Sequence, residues 1–411
     1  MPDTPSAPPL ARMLLCGALI VTLSMGIRHG FGLWLQPITQ AHDWSREQYS
    51  FALAIQNLVW GLSGPLVGWW ADRRGAMPVL STGAVLYGLG LVGMATSTSL
   101  LAFDLSTGVT IGLAQACCTY AVIYGVIGRH VTPDKRSWAM GVTAAAGSFG
   151  QFLMIPTSSL LIEQMGWSQA LLSLSLAALL IVPLALGMRE KSRSPGAPTK
   201  PSDHAPPPIG ALAALREALL HRDYLLLTAG YFVCGFQLAF IGVHLPSYLK
   251  DLRMDPQLAT TALALIGLFN VLGTYAAGVL GQRVRKNWLL AGIYAMRAVV
   301  MIAFIMIPPS PLSVGVFAAF MGTLWLSTVP PTNAVVAQMM GVQHLSMLGA
   351  VVFMSHQIGS FVGVWLAGRL YDATGSYQIV WWLAIGLAVF AALINLPIRE
   401  HRQPTRRLVT A

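Results

Sequence analysis

GWWADRRGAMPVL, residues 68–80, sets an acid and two arginines into the seam between two long apolar runs. The runs on either side cover about residues 49–70 and 78–97. Each reaches the roughly 20 residues that an α-helix needs to cross the hydrocarbon core of a bilayer. ADRRG therefore reads as a short loop at a membrane surface, where Asp72, Arg73 and Arg74 stay in water.

The composition agrees along the whole chain. Of 411 residues, 55% are hydrophobic and only 10% charged, against about 25% charged in soluble proteins. Mean hydropathy is +0.63. Apolar runs at about 12–36, 49–70, 78–97, 102–128, 138–161, 169–188, 223–248, 258–280, 288–307, 312–338, 346–370 and 377–397 predict twelve transmembrane helices. Helices are the natural reading because each pairs its own backbone groups inside the segment. Nineteen of the 25 Lys and Arg residues fall at one set of span ends, among them Arg73, Arg136, Arg283 and Arg399. Only Arg46, Lys250, Arg253 and Arg369 fall at the other, so both termini are expected to be cytoplasmic. The net charge of +10 thus reflects topology rather than a nucleic-acid surface. Cys16, Cys117, Cys118 and Cys234 lie in apolar runs without metal-ligand spacing, so no disulfide framework, metal or cofactor is expected. The first apolar run is too long for a cleavable signal peptide.

KSRSPGAPTKPSDHAPPP, residues 191–208, cannot bury a core and reads as a linker. The expected organisation is a tail over 1–11, a six-helix bundle over 12–188, a linker over 189–222, a second six-helix bundle over 223–397 and a tail over 398–411. ALAALREALLHRD, residues 211–223, is expected to lie on the membrane surface. The two halves look related. A shift of about 210 places Gly68 on Gly278, Arg73 on Arg283 and Leu35 on Leu245. A shift of about 209 places Gly150 on Gly359 and Gly166 on Gly375. Two parallel repeats with binding at their interface describe a carrier that rocks about a central site.

GWWADRRG resembles the signature of the major facilitator superfamily, filled here by Gly68, Asp72, Arg73 and Gly75, with Ala76 in place of the usual basic residue. The second copy, GVLGQRVRKN, has Gln282 in place of the acid. The resemblance implies an all-α membrane protein of twelve transmembrane helices in two pseudo-symmetric six-helix bundles. It also implies a conformational role for Gly68, Asp72, Arg73 and Gly75. RHGFGLWLQPI, DWSREQYSFA and SHQIGSF are similar to stretches of the monocarboxylate transporter and oxalate:formate antiporter group. In that group a lysine of span one and another of span eleven are associated with substrate, and His29 and His356 match them. The group's span-eight arginine is missing, with Asn270 and Thr274 at the corresponding positions. The glycine-proline run of drug exporters is absent from span five, and their arginine is absent from span four.

Within the spans, ionisable residues cost several kcal/mol and usually face a cavity or a partner. Arg28 and His29 stand together in SMGIRHGFGLW, residues 24–34. They lie about 100° apart on a helix, so one is expected to face the cavity and the other to pack against a neighbour. Arginine is the permanent anion anchor, and histidine the switchable proton carrier. His356, Asn270, Tyr120 and Gln115 are further candidates for substrate contact. His29, His356 and Asp104, the only acid read within a span, are candidates for proton coupling. Arg297 of span nine is expected to be structural. An interior so poor in acids favours an anion over a cation. The resulting expectation is a monomeric carrier of a small organic anion, a carboxylate, in a bacterial inner membrane, coupled to proton symport. An anion exchanger and an exporter of amphipathic compounds are the rivals. No nucleophile–base set, phosphate loop or metal cluster points to an enzyme.

Overall fold

The computed structural model describes residues 10–131, 133–189, 211–340 and 345–399. Among them, twelve helices are long and apolar enough to cross a membrane. The first six are Leu10–His42, Arg46–Arg74, Ala76–Thr96, Leu100–Ile127, Ala139–Met165 and Trp167–Leu186. The second six are Arg222–Asp251, Pro256–Arg283, Lys286–Met306, Pro311–Met340, Met347–Thr374 and Gln378–Asn395. They are numbered span one to span twelve below. Most of the expected linker and tails, at 1–9, 190–210 and 400–411, lies outside the described residues. The stretch before span seven is a helix, Ala211–Leu220.

Local chemistry fixes where spans begin. Ser45 Oγ accepts from the Gln48 N–H while Gln48 Oε1 accepts from the Ser45 N–H, a reciprocal cap that starts span two. Asp255 caps span eight ahead of Pro256, and Ser310 with Ser313 caps span ten ahead of Pro311. Gly75, with φ +84° and ψ 164°, makes the turn from span two to span three in a conformation that only glycine adopts readily.

Among the described residues four spans are interrupted, span six only at Leu180. Span one is helical over Leu10–His29, tightens to a 3₁₀ turn over Phe31–Trp34 and resumes over Leu35–His42. Span four has a π-helical stretch, Asp104–Thr110, and a break at Thr119. Span ten stops at Leu324 and resumes at Val329. The shift of about 209 that relates the halves places Thr119 on Thr328, so the breaks in spans four and ten are equivalent.

Packing repeats with the sequence. Gly150 of span five lies against the Thr22 carbonyl of span one, and Gly359 of span eleven lies against the Phe232 carbonyl of span seven. A side chain at either glycine would collide with that backbone. The second half packs around one apolar cluster with Phe240, Tyr294 and Trp381, and the first half around two, one with Met25 and Ile123 and one with Trp34 and Tyr87. The halves meet where Gly32 of span one touches the backbone of Gly242 and Val243 of span seven. Gly32 and Gly242 are themselves counterparts under the shift of about 210.

Candidate functional site

A cavity of about 2250 Å³ lies between the halves. It runs from Arg28 and His29 in mid-span to Asp72, Gln282 and Lys286 at the arginine-rich ends of spans two, eight and nine. Most of its wall is apolar, including Trp60, Trp325, Leu326 and Phe353.

Arg28 is the cation on this wall at mid-span. Its Nη2 donates to Asn57 Oδ1 at 2.6 Å, and its guanidinium lies 4.7 Å from the centre of the Trp60 ring. Asn57 is held in turn by donating to the Leu53 carbonyl at 2.8 Å. Among the described residues Arg28 Nε has no partner. Among the described residues no carboxylate comes within ion-pair distance of Arg28. The site is therefore a fixed positive charge steered by neutral groups.

His29 ends the first helical piece of span one, and its Nδ1 lies 2.6 Å from the Met25 carbonyl. A carbonyl only accepts, so Nδ1 carries the hydrogen and Nε2 is the position left to take a proton. Both Arg28 and His29 border the cavity. That corrects the expectation that one of them would turn away. Both stand in the continuous helix Leu10–His29, about 100° apart, and the cavity is broad enough to be bordered by both side chains.

His356 and Tyr120 border the same cavity. The His356 ring stacks on Phe353 at 5.9 Å and lies 5.1 Å from Tyr231. Two other candidates lie elsewhere. Asn270 is buried, donating to Ser148 Oγ of span five at 2.9 Å and accepting from the Leu326 N–H at 3.0 Å. These bonds tie it into the protein instead of the cavity wall. Gln115 is fully buried beside Gln56, to which its Nε2 donates at 3.4 Å. Asp104 sits far from Arg28, beside a separate pocket of about 280 Å³ shared with Glu47 and Trp365. Of the signature residues, Gly68 and Asp72 border the cavity. Arg73 stacks on Trp69 at 4.3 Å, and Gly75 makes the turn. Among the described residues no three His, Cys, Asp or Glu side chains converge as a metal site.

Arg297 is fully buried and does not border the cavity between the halves. Its Nη2 donates to the carbonyls of Leu324 and Trp325 at 2.6 Å each, and its Nη1 donates to Gln237 Oε1 at 3.2 Å. It thus answers carbonyls freed by the break in span ten.

The opposite end of the cavity is closed by a network across the halves. Arg46 of span two holds Asp251 of span seven through two bonds of 2.7 Å. It also donates to Tyr377 Oη at 2.9 Å and stacks on Tyr371 at 3.7 Å. The Asp372 carboxylate accepts from the N–H groups of Arg46 and Glu47 at 3.2 and 2.6 Å, at the positive end of span two. Beneath them His244 Nε2 donates to the Val364 carbonyl at 3.0 Å, and its Nδ1 accepts from Tyr377 Oη at 2.9 Å. In the sequence Arg46 stands out only as a charge at a span end, and Asp251 and Asp372 do not stand out at all. Their association joins residues more than 200 positions apart, and the one available signal was opposite charge on the same face.

Twelve spans in two related halves around a shared cavity, closed at one end and open at the other, define a membrane transporter. The major facilitator superfamily model matches residues 14–363 and 227–410, and the chain belongs to that superfamily. It is 25% identical over 385 residues to monocarboxylate transporter 13 of Rattus norvegicus, covering 91% of this chain and 86% of that protein. It is 22% identical over 400 residues to YcxA, an MFS-type transporter of Bacillus subtilis (strain 168), covering 95% and 96%. Among solved structures it resembles a bacterial homologue of the human lysosomal transporter Spinster in an inward-facing and occupied conformation. There the TM-score is 0.75 at 14% identity, covering 95% of this chain and 97% of that one.

Proposed function

We propose that the chain is a secondary active transporter that carries a small organic anion, a monocarboxylate, by alternating access with proton symport. The observation that carries this reading is Arg28, a permanent cation on the cavity wall with only neutral protein partners. An arginine in that setting gains most from an anionic ligand. The names of the monocarboxylate transporter relatives support the same class of substrate. His29 supports proton coupling, because a proton on Nε2 adds a second positive charge beside Arg28 and its loss weakens the hold on the anion. The arginine-rich face, toward which the cavity opens, is taken as cytoplasmic. The glycine pairs support rocking of the halves: Gly32 and Gly242 touch at the closed end, while Gly68 and Gly278 face open space at the other.

The test is uptake of labelled pyruvate, lactate and benzoate by proteoliposomes under an imposed pH gradient. The expected result is gradient-driven uptake that falls roughly thirtyfold or more in Arg28→Gln. Uptake that ignores the gradient and requires internal substrate would make the protein an exchanger. Folded protein that moves no carboxylate across a broad panel would overturn the anion reading.

A further inference from the structure

The two equivalent helix breaks are finished differently. At the break in span ten, the Leu324 and Trp325 carbonyls accept from Arg297, and the Leu326 N–H donates to Asn270. The resumed piece, Val329–Met340, opens Val329-Pro330-Pro331, and its two prolines have no N–H to leave unpaired. The Val329 N–H donates to the Leu326 carbonyl and the Thr332 N–H to the Thr328 carbonyl.

At the break in span four one carbonyl is answered. Ser24 Oγ of span one donates to the Cys118 carbonyl at 2.9 Å. Thr119 is extended, with φ −106° and ψ −173°, and its side chain makes no cap to the resumed piece, Tyr120–His130. Among the described residues nothing accepts from the N–H groups of Tyr120, Ala121 and Val122. Among the described residues the Thr119 hydroxyl is without a partner too, although the residue is only 3% exposed and borders the cavity. Tyr120 and Ala121 border it as well. Ser24 and Arg28 share a face of span one, one turn apart. The Ser24–Cys118 bond therefore brings Arg28 alongside this helix end, within electrostatic range of Tyr120.

We propose that the start of Tyr120–His130 is the second half of the anion site. Arg28 takes one oxygen of the carboxylate, and the free N–H groups of Tyr120, Ala121 and Val122, with the Thr119 hydroxyl, take the other. The inference rests on the anion reading and names how the anion is held. A helix start carries about half a positive charge and aims its unpaired donors along the axis. In a water-poor span those donors gain strongly from an anion. This helix end stands in for the second cationic side chain that span eight lacks, where Asn270 and Thr274 occur. It also orients the cargo. The carboxylate lies against the N-terminal half, and the organic remainder meets the apolar wall of Trp325, Leu326 and Phe353. The preferred ligand is then a monocarboxylate with an apolar body.

Ala121→Pro tests this by copying Pro330, its counterpart at the break in span ten. It deletes one free N–H at a position where a helix start accepts proline. Ala121→Gly keeps the N–H, and Thr119→Val deletes the hydroxyl at constant shape. Benzoate and pyruvate binding to the purified full chain is measured by titration calorimetry, with benzamide as the uncharged control. Ala121→Pro and Thr119→Val are each expected to weaken carboxylate binding by about tenfold to a hundredfold. Ala121→Gly should stay close to the parent. If Ala121→Pro melts like the parent and binds as tightly, the inference is overturned. If Ala121→Pro does not fold, parental affinity in Thr119→Val overturns it instead. Loss of binding in Arg28→Gln alone would leave the anion reading standing and remove this one. A parent protein that binds no carboxylate removes both.

Discussion

Asp251→Asn should open the closed end of the cavity. Asp251 and Arg46 share two bonds of 2.7 Å across the halves, so their pairing exists only while that end is shut. The two side chains are 30% and 13% exposed, so water screens part of the interaction. An exposed pair contributes about 0–1 kcal/mol, and breaking a buried one costs about 3–5 kcal/mol. This pair lies nearer the exposed limit, and the remaining contacts of Arg46 with Tyr371 and Tyr377 survive the change. A loss of about 1–2 kcal/mol follows, which moves the balance between closed and open forms about 5- to 30-fold. Ser50 is fully buried under the network, 3.3 Å from His244, and reports the opening. In a Cys16→Ser background, Ser50→Cys would be labelled by a membrane-impermeant maleimide added at that face. The labelling rate should rise in proportion to the open form when Asp251→Asn is added, and fall back with Asp251→Glu. A rate within about twofold of the parent would refute the reasoning, because a pair worth less than 1 kcal/mol does not hold the end shut.

The remaining predictions separate structural groups from ligand groups. Arg297→Met should lower the melting temperature sharply, with a loss of about 3 kcal/mol or more, because two carbonyls and Gln237 lose their donor in a dry interior; an unchanged melting curve would refute this. Asn270→Ala should lower the melting temperature while carboxylate affinity stays close to the parent, since both ends of its amide are bonded within the protein. A large loss of affinity at constant stability would return Asn270 to the ligand site. His29→Gln should uncouple uptake from the pH gradient yet retain anion exchange, because an amide at Nε2's place takes no proton. Uptake that still follows the gradient would exclude His29 as the proton carrier.

The twelve spans, the repeat and the superfamily were legible in the chain because lipid imposes a one-dimensional rule. Each crossing needs about 20 apolar residues with its hydrogen bonds inside the segment. The signature around Asp72 and the match of Gly150 with Gly359 survive as patterns in order along the chain. Arg28 and His29 were visible for the same reason, as charges where the rule forbids them. Gln115 and Asn270 passed the same polarity test, yet both turned out to be buried in protein contacts. Polarity within a span marks a side chain that needs a partner, and only packing says whether the partner is protein or ligand.

By itself, then, the sequence determined the number of spans, their division into two related halves and the residues too polar to face lipid. The tertiary structure decided which of those residues share a cavity, that Arg46, Asp251 and Asp372 close its far end, and that the helix resumed after Thr119 starts with open N–H groups while the one resumed at Val329 does not. The physical reason is distance along the chain. Hydrophobicity and helix hydrogen bonding act over a few residues and can be read locally, whereas a charge 205 positions from its partner acquires its role only when the halves come together.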